Sequence, residues 1–274
     1  VCAVLLLAVL LCVPAYAAET SLVPVGRTVG IQLQMPGALV VGLSTADCPS
    51  PAEAAGIRKG DLIVAIQGKS VSSASAFLEQ VAQMDGSPVC ITVERSGSRL
   101  DFSVTPSRTE SGWVLGLWLR DSITGIGTLT YYDPETGKFG TLGHGVNDAK
   151  GELLKMVSGN AYQAAVGSVR KGTCGNPGQL MGALQSAEPI GTLYKNTARG
   201  IFGNAKTAWD GSPMPIATAK DVHTGNATIR CTVKGSTIRE YSVEILKVYP
   251  NADASGRNML LRITDPDLLN TTGG

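Results

Sequence analysis

One histidine of this chain has the surroundings of a possible general base. The chain contains two histidines, and His144 lies between Gly143 and Gly145. Small neighbours leave the backbone free, and an imidazole can take a proton from a nucleophile near neutral pH. A packed histidine that accepts one hydrogen bond is the alternative interpretation.

A catalytic histidine usually needs a carboxylate that fixes its tautomer. Eight of the carboxylates that follow it in the chain are candidates: Asp148, Glu152, Asp210, Asp221, Glu240, Glu244, Asp265 and Asp267. Chemistry alone does not choose among them.

Other residues that could do chemistry occur in less favourable patterns. His223, in a polar stretch with a glycine, is predicted to lie in a surface turn. Ser212, between Gly211 and Pro213, is expected in a turn before Met214 rather than at a nucleophilic site. With two histidines and no Cys-x-x-Cys spacing, we expect no structural zinc site and no need for a cofactor.

A hairpin is predicted to deliver His144. Residues 128–132 and 138–142 are strand-like, and the DPETG segment at 133–137 supplies turn formers between them. Further strands are expected at 227–233, 241–248 and 259–263. Residues 110–274 therefore predict a compact barrel or sandwich of short strands.

The preceding region, residues 21–106, predicts short strands with two helices. Strands are expected at 39–43 and 62–66, and a hairpin joins residues 89–93 to 100–104. Ser50 and Pro51 predict the start of a very short helix. A longer helix is expected at 75–84, where Phe77, Val81 and Met84 share one face.

The segment PAEAAGIRKGDLIVAIQGKSV at residues 51–71 resembles the signature of bacterial PDZ domains. This resemblance covers about 85 residues and implies peptide binding by addition of a strand to a sheet edge beside the longer helix. It also implies a glycine-containing loop that binds the terminal carboxylate, matched here by Val29, Gly30 and Ile31, with a free strand edge at 31–33. The alternative is an ordinary strand that contains a glycine.

The segments GTLGHGVND at 140–148 and ITDPDLLNTTGG at 263–274 resemble the stage IV sporulation protein B peptidases. The resemblance implies a chymotrypsin-like serine peptidase with His144 as general base and Asp265 as its orienting acid, whereas Asp148 would be structural. The nucleophile of that family belongs to a Ser-Gly-Ser-Pro segment after the Thr-Gly-Gly tail. Residues 1–274 do not contain that segment, so a polypeptide of these residues is expected to be inactive.

The resemblance also implies a biological setting. Such peptidases cleave themselves, act between the mother cell and the forespore, and signal to a regulatory subunit of a membrane-embedded complex that activates a late sigma factor. The competing hypothesis is a PDZ adaptor or scaffold without enzymatic activity.

The amino terminus predicts export. Residues 1–13 carry no charge, and Ala15, Tyr16 and Ala17 form a small-x-small triplet, so residues 1–17 are expected to be a signal peptide or a membrane anchor. Residue 1 is Val, and we expect the natural start to lie upstream. After this segment remain Cys48, Cys90, Cys174 and Cys231, for which three disulfide pairings or buried free thiols are open.

Composition narrows the classes of fold and partner. The 23 basic and 22 acidic residues give a net charge of +1 without a basic cluster, which argues against a nucleic-acid partner. The 33 glycines and 14 prolines favour frequent turns. We therefore expect a mainly β protein, with a PDZ domain at 21–106 and a chymotrypsin-like β-barrel peptidase domain at 110–274.

Overall fold

The computed structural model describes residues 20–44, 49–110, 112–148, 151–251 and 256–273. The described residues form sixteen strands: β1 (Ser21–Leu43), β2 (Leu62–Ile66), β3 (Lys69–Ser70), β4 (Val89–Arg95), β5 (Ser98–Val104), β6 (Ser107–Thr109), β7 (Gly112–Val114), β8 (Leu117–Tyr132), β9 (Lys138–Thr141), β10 (Ser158–Arg170), β11 (Gln179–Thr197), β12 (Gly200–Ala205), β13 (Met214–Pro215), β14 (Gly225–Cys231), β15 (Arg239–Val248) and β16 (Met259–Ile263). They also form three helices: α1 (Pro51–Ala54), α2 (Ala74–Val81) and α3 (Pro266–Thr272). The predicted mainly β class is confirmed. The expected signal segment at 1–17 and Cys48 lie outside the described residues.

Six strands of the described chain close into an antiparallel barrel. Their order around the barrel is β1, β10, β11, β12, β9 and β8, and β8 returns to β1. The long first strand closes the ring, because its residues 29–34 pair with β10 on one side and β8 on the other. Closure leaves this part of β1 without a free edge.

An apolar core fills the barrel, with buried residues from all six strands. They include Val29, Ile31, Leu33, Leu129, Phe139, Ala161, Leu193 and Ile201. Phe139 is fully buried, and Gly203 on the neighbouring strand β12 leaves room for its ring. A Cβ at Gly203 would lie 2.4 Å from Phe139 Cζ and 2.5 Å from the Thr192 carbonyl oxygen. The glycine is therefore required by the packing of the barrel.

A second core lies in the PDZ-like region, between the sheet of β2, β4 and β5 and the first two helices. Its largest buried side chains include Ile57, Ile63, Ile66, Phe77 and Ile91. The two predicted helices are found here. The Ser50 hydroxyl caps α1 by accepting a hydrogen bond from the Glu53 amide. Ser73 caps α2, whose first residue, Ala74, lies one residue before the predicted start.

The two cores share strands. Residues 23–35 of β1 lie in the barrel core, whereas Ala38 and Val40 of the same strand lie in the second core. Strand β8 is shared in the same way, because Leu117 and Leu119 at its start pack against the second core. The amino-terminal part of the expected PDZ region therefore packs with strands that follow residue 110.

A smaller sheet of β14, β15 and β16 leads into α3. It contacts the barrel through Arg230 and Thr232, whose side chains donate hydrogen bonds to the carbonyl oxygens of Pro24 and Gly26. No helix within the described ranges is both long enough and apolar enough to cross a bilayer.

The described cysteines are free thiols. Cys90 and Cys174 are exposed and Cys231 is partly buried, so the alternative of buried thiols is wrong for the first two. Burial raises the pKa of the Cys231 thiol.

Candidate functional site

His144 lies three residues after β9, on an exposed loop at the rim of the barrel. The predicted hairpin delivers it as expected, since β8 and β9 pair across the turn at 133–137. Leu142 has φ of 60°, a left-handed conformation that is uncommon for a residue with a branched side chain. This conformation lies just after β9 and two residues before the histidine.

The hydrogen bond made by His144 defines its tautomer. Its Nδ1 lies 2.9 Å from the Gly145 carbonyl oxygen. A carbonyl oxygen can only accept, so Nδ1 carries the proton in this bond, and in the neutral ring Nε2 keeps a lone pair. That is the tautomer in which an imidazole acts as a general base through Nε2.

Asn196, at the end of β11, holds the loop that carries His144. Its side-chain oxygen accepts a hydrogen bond from the Val146 amide at 3.0 Å. Its side-chain nitrogen donates to the carbonyl oxygens of Val146 and Leu154, each at 2.9 Å. The loop is therefore tied to the barrel on both of its sides. Sequence reasoning missed Asn196, because a lone asparagine far along the chain carries no spacing signal.

Gly145 allows this loop to approach the barrel closely. A Cβ at this position would lie 2.5 Å from the Thr197 carbonyl oxygen and 2.3 Å from Leu153 Cδ1. The glycine after His144 thus serves close backbone packing beside the Asn196 anchor.

Asp265 lies two residues after β16 of the smaller sheet, where it caps α3. Its carboxylate accepts a hydrogen bond from the Leu268 amide at 3.0 Å, and its own amide donates to the Ser242 carbonyl oxygen. Pro266 occupies the first turn of the helix, as is common after such a cap. The hydrogen bonds described for His144 and Asp265 do not join the two side chains. Their pairing in a catalytic triad stays a prediction.

The remaining sequence candidates lie in exposed turns and loops. Asp148 accepts a hydrogen bond from the Glu152 amide at 3.0 Å, a contact in the turn after the histidine that agrees with the structural role expected of it. His223 is exposed and its Nδ1 lies 2.8 Å from the Asp221 carbonyl oxygen, as expected of a surface turn. Ser212 is exposed beside β13, which pairs with the start of β1.

The residues expected to bind a peptide carboxylate need a correction. Val29, Gly30 and Ile31 are in the middle of β1, are buried, and pair with β8 and β10 on their two edges. The expected glycine loop and the free edge at 31–33 are therefore wrong for this segment. A Cβ at Gly30 would lie 2.0 Å from Leu184 Cδ2, so this glycine faces a side chain of β11. The local match to a glycine loop could not reveal the two distant partner strands.

Two known protein families match the chain, each over a different part of it. The family described as SpoIVB peptidase S55 matches residues 111–274, and the PDZ domain family matches residues 28–105. These ranges contain the predicted catalytic residues and the predicted PDZ signature, respectively.

Curated relatives match shorter stretches. A stretch of 142 residues is 30% identical to a protein named putative zinc metalloprotease Atu1380 of Agrobacterium fabrum, covering 52% of this chain and 34% of that protein. A stretch of 61 residues is 36% identical to serine protease HTRA1 of Xenopus tropicalis, covering 22% of this chain and 13% of that protein. Another of 66 residues is 41% identical to a probable periplasmic serine endoprotease DegP-like of Chlamydia trachomatis, covering 23% and 13%. The chain spans 34% or less of the length of these three relatives.

The peptidase match is the broadest, because it covers more than half of the chain and includes the loop of His144 and the helix capped by Asp265. A PDZ domain precedes it. The chain therefore belongs to the SpoIVB peptidase S55 family.

Proposed function

We propose that the intact protein is a serine endopeptidase in which His144 is the general base. The observation that carries this proposal is the setting of His144, an exposed imidazole in the family's motif with Nδ1 bonded to Gly145. The nucleophile is the serine of the family's Ser-Gly-Ser-Pro segment, which residues 1–274 do not contain.

The chemistry is acyl transfer. The serine oxygen attacks the peptide carbonyl carbon while Nε2 of His144 takes the hydroxyl proton, and the resulting imidazolium then gives that proton to the leaving amine. Asp265 has the role of holding Nδ1 and stabilising the imidazolium. In this role its carboxylate replaces the Gly145 carbonyl oxygen as the partner of Nδ1.

The biological role follows the family. The protein is exported to the space between the mother cell and the forespore, cleaves itself near its amino terminus and signals to a regulatory subunit of a membrane-embedded processing complex. The apolar segment at residues 1–13 and the triplet at 15–17 support export. The PDZ domain supports the binding of peptides or proteins.

The test uses a chain extended through a Ser-Gly-Ser-Pro segment after Gly274. Turnover of a fluorogenic peptide is measured for the extended chain and for three variants. His144→Ala and Asp265→Asn should each lower kcat by about 10³- to 10⁴-fold, as loss of a triad member does. Asp148→Asn is the matched control and should lower kcat far less, because its carboxylate serves a turn. Loss of activity in Asp148→Asn with Asp265→Asn unaffected would assign the orienting acid to Asp148.

A labelling experiment tests the identity of the nucleophile. A polypeptide of residues 1–274 should not react with a fluorophosphonate probe, whereas the extended chain should react. Ser212→Ala is the control. Labelling of residues 1–274 that disappears in Ser212→Ala would replace the proposed nucleophile by Ser212.

A further inference from the structure

A small cavity opens at the end of the barrel that lies away from His144. His144 lies beyond the last residue of β9, whereas the first residue of this strand, Lys138, pairs with Asn204 of β12. Two residues beyond Asn204, the Lys206 amide donates a hydrogen bond to the carbonyl oxygen of Ile190, which lines the cavity. The cavity and the proposed catalytic histidine are therefore at opposite ends of β9.

The floor of the cavity is apolar. It is formed by Val25 of β1, Leu129 of β8, Ile190 of β11 and Ile238, the residue before β15. Val25 and Leu129 are buried in the barrel core, and Ile190 and Ile238 are half-buried. The volume of about 80 Å³ would hold several water molecules, but an apolar lining gives water few hydrogen bonds. Such a floor favours a hydrocarbon group.

Trp209 and Gly211 form one wall of the cavity, and core contacts hold both of them. The centre of the Trp209 ring lies 5.2 Å from that of Tyr132 and 4.9 Å from that of Phe139. Gly211 has φ of 148°, and a Cβ at this position would lie 2.3 Å from Val23 Cγ1, so its backbone packs directly on β1. The wall is therefore formed before any ligand binds.

Two exposed side chains of opposite charge also line the cavity, Arg27 of β1 and Asp210. Within the described part of the chain, neither side chain forms a hydrogen bond or an ion pair, and the two do not pair with each other. Arg230 lines the cavity as well, but its guanidinium donates to the Pro24 carbonyl oxygen and lies 3.1 Å from the Glu240 carboxylate. One cation and one anion of the described lining are thus available to a ligand.

A free α-amino acid with an apolar side chain matches this set of groups. Its carboxylate can accept two parallel hydrogen bonds from a guanidinium, and its ammonium group can donate to a carboxylate. Its side chain would leave water for the apolar floor. Both charges of an amino acid are attached to one carbon atom, so they can meet Arg27 and Asp210 at the same opening. In a peptide, the chain separates the two charged termini.

We propose that this cavity binds a free α-amino acid with an aliphatic side chain, such as valine or leucine, with its carboxylate at Arg27 and its ammonium group at Asp210. This site goes beyond the proposed function and does not use the proposed catalytic residues. Because Arg230 of β14 and Ile238 line the cavity together with barrel residues, a bound amino acid would join the smaller sheet to the barrel. The smaller sheet leads into α3, so binding would stabilise the position of the helix that Asp265 caps.

An NMR titration of the chain of 274 residues tests the class of ligand. L-Leucine should shift the indole N–H signal of Trp209 with a Kd of about 1 mM or below, and it should raise Tm. The signal of Trp118, which is exposed on β8, should not move. L-Leucinamide lacks the carboxylate and 4-methylpentanoate lacks the ammonium group, so each should bind at least about tenfold more weakly. Glycine keeps both charges without a side chain and should also bind at least about tenfold more weakly.

Variants test the location of the site. Arg27→Gln and Asp210→Asn should each weaken leucine binding about tenfold or more, because each removes one of the two charges. Their Tm without ligand should stay within about 2 °C of the wild-type value, since both side chains are exposed and unpaired. Arg120→Gln is the matched control, at an exposed arginine of β8 outside the cavity, and should bind leucine like the wild-type chain. Ile238→Phe should fill the cavity and abolish binding while the chain still unfolds cooperatively.

Three results would overturn the proposal. The first is no shift of the Trp209 signal with leucine or valine up to about 20 mM, well above the expected Kd. The second is equal binding of L-leucine and L-leucinamide. The third is unchanged leucine binding in both Arg27→Gln and Asp210→Asn. None of these measurements depends on peptidase activity, so their failure would leave the proposed catalytic residues untouched.

Discussion

Asp61, the aspartate of the Gly-Asp pair in the PDZ signature, has a structural role. Its carboxylate is buried and accepts hydrogen bonds from Arg95 Nε at 2.7 Å, Arg95 Nη2 at 2.6 Å and the Arg58 amide at 2.8 Å. The hydrogen bonds to Asp61 raise the pKa of the Arg95 guanidinium. This residue closes the turn before β2 and joins it to the end of β4.

Asp61→Asn should lower the free energy of unfolding by about 3 to 5 kcal/mol, because it leaves a partly buried guanidinium without its counter-charge. Urea unfolding at pH 7 measures the change. Asp101→Asn is the control, since Asp101 is exposed and an amide oxygen can still accept from Thr92, and it should cost less than about 1 kcal/mol. Equal losses in the two variants would contradict the structural role of Asp61.

Asn196 holds the loop that carries His144, the proposed general base, so its loss should affect turnover more than substrate binding. In the extended chain, Asn196→Ala should lower kcat by about 10- to 100-fold with KM nearly unchanged, since a displacement of about 1 Å has such effects. The Val146 amide donates a hydrogen bond to the Asn196 side-chain oxygen. Without this bond, hydrogen exchange at the Val146 amide should become faster.

Asn226→Ala provides the comparison, because Asn226 is an exposed asparagine on β14. It should leave both kcat and the exchange of Val146 unchanged. A rise in KM with kcat intact in Asn196→Ala would show that Asn196 supports substrate binding instead.

An ion pair links β4 of the PDZ domain to the segment before β10. Lys155 Nζ lies 2.7 Å from the Glu94 carboxylate, and this hydrogen bond is the main reason that the pKa of Glu94 lies below its ordinary value of 4.5. The nearby Arg99 lowers the pKa further. A lowered carboxyl pKa stabilises the fold above the ordinary value, and this contribution is lost as the pH falls through the lowered value.

Lys155→Met should move the pKa of Glu94 upward, as measured by NMR titration of the Glu94 carboxyl carbon. The loss of Tm between pH 7 and pH 3 should become smaller, because the folded state no longer favours the charged carboxylate as strongly. Lys59→Met, at an exposed lysine of the same domain, should leave the Glu94 titration in place. An unchanged Glu94 pKa in Lys155→Met would contradict the ion pair.

Elements with strong local signals were predictable. The strands at 62–66 and 89–93 have regular apolar patterns, and α1 and α2 begin at serine caps. In β11 most side chains are exposed and the strand lacks a regular alternation, so its sequence gives no period of two. Helix α3 had a readable start in Asp265 and Pro266, but its seven residues are too few for a periodic signal.

The site was predictable only where the residues that form it are close together in the sequence. The hairpin that delivers His144 follows from adjacent segments, whereas the anchor by Asn196 and the pairing of Val29–Ile31 depend on strands far along the chain. The sequence of β1 indicates that this segment is extended, but it does not indicate which strands pair with it. For this reason a free edge was expected on a strand whose residues 29–34 are paired on both sides.

Because the two cores share strands, we can predict which fragments of the chain fold on their own. A polypeptide of residues 20–106 lacks Leu115, Leu117 and Leu119, which pack in the PDZ core, and it exposes the barrel residues of β1. We expect it to show no cooperative thermal unfolding, while residues 20–274 unfold cooperatively. Circular dichroism and calorimetry compare the two.

A fragment of residues 36–132 is a useful second comparison, because it keeps the start of β8 and removes the barrel half of β1. It should retain more of the PDZ fold than residues 20–106. A sharp transition in residues 20–106 would contradict the dependence of this core on β8.

The position of β1 also has a consequence for the order of folding. This strand is synthesised before its partners, because β8 begins at Leu117 and β10 at Ser158. Pairings between distant segments form slowly, because the intervening chain must first be closed into a loop. During synthesis, β1 therefore remains without these native neighbours, with apolar side chains exposed, until β8 and β10 have followed. A chaperone that binds extended apolar segments would therefore find a target in β1 until its partner strands are made.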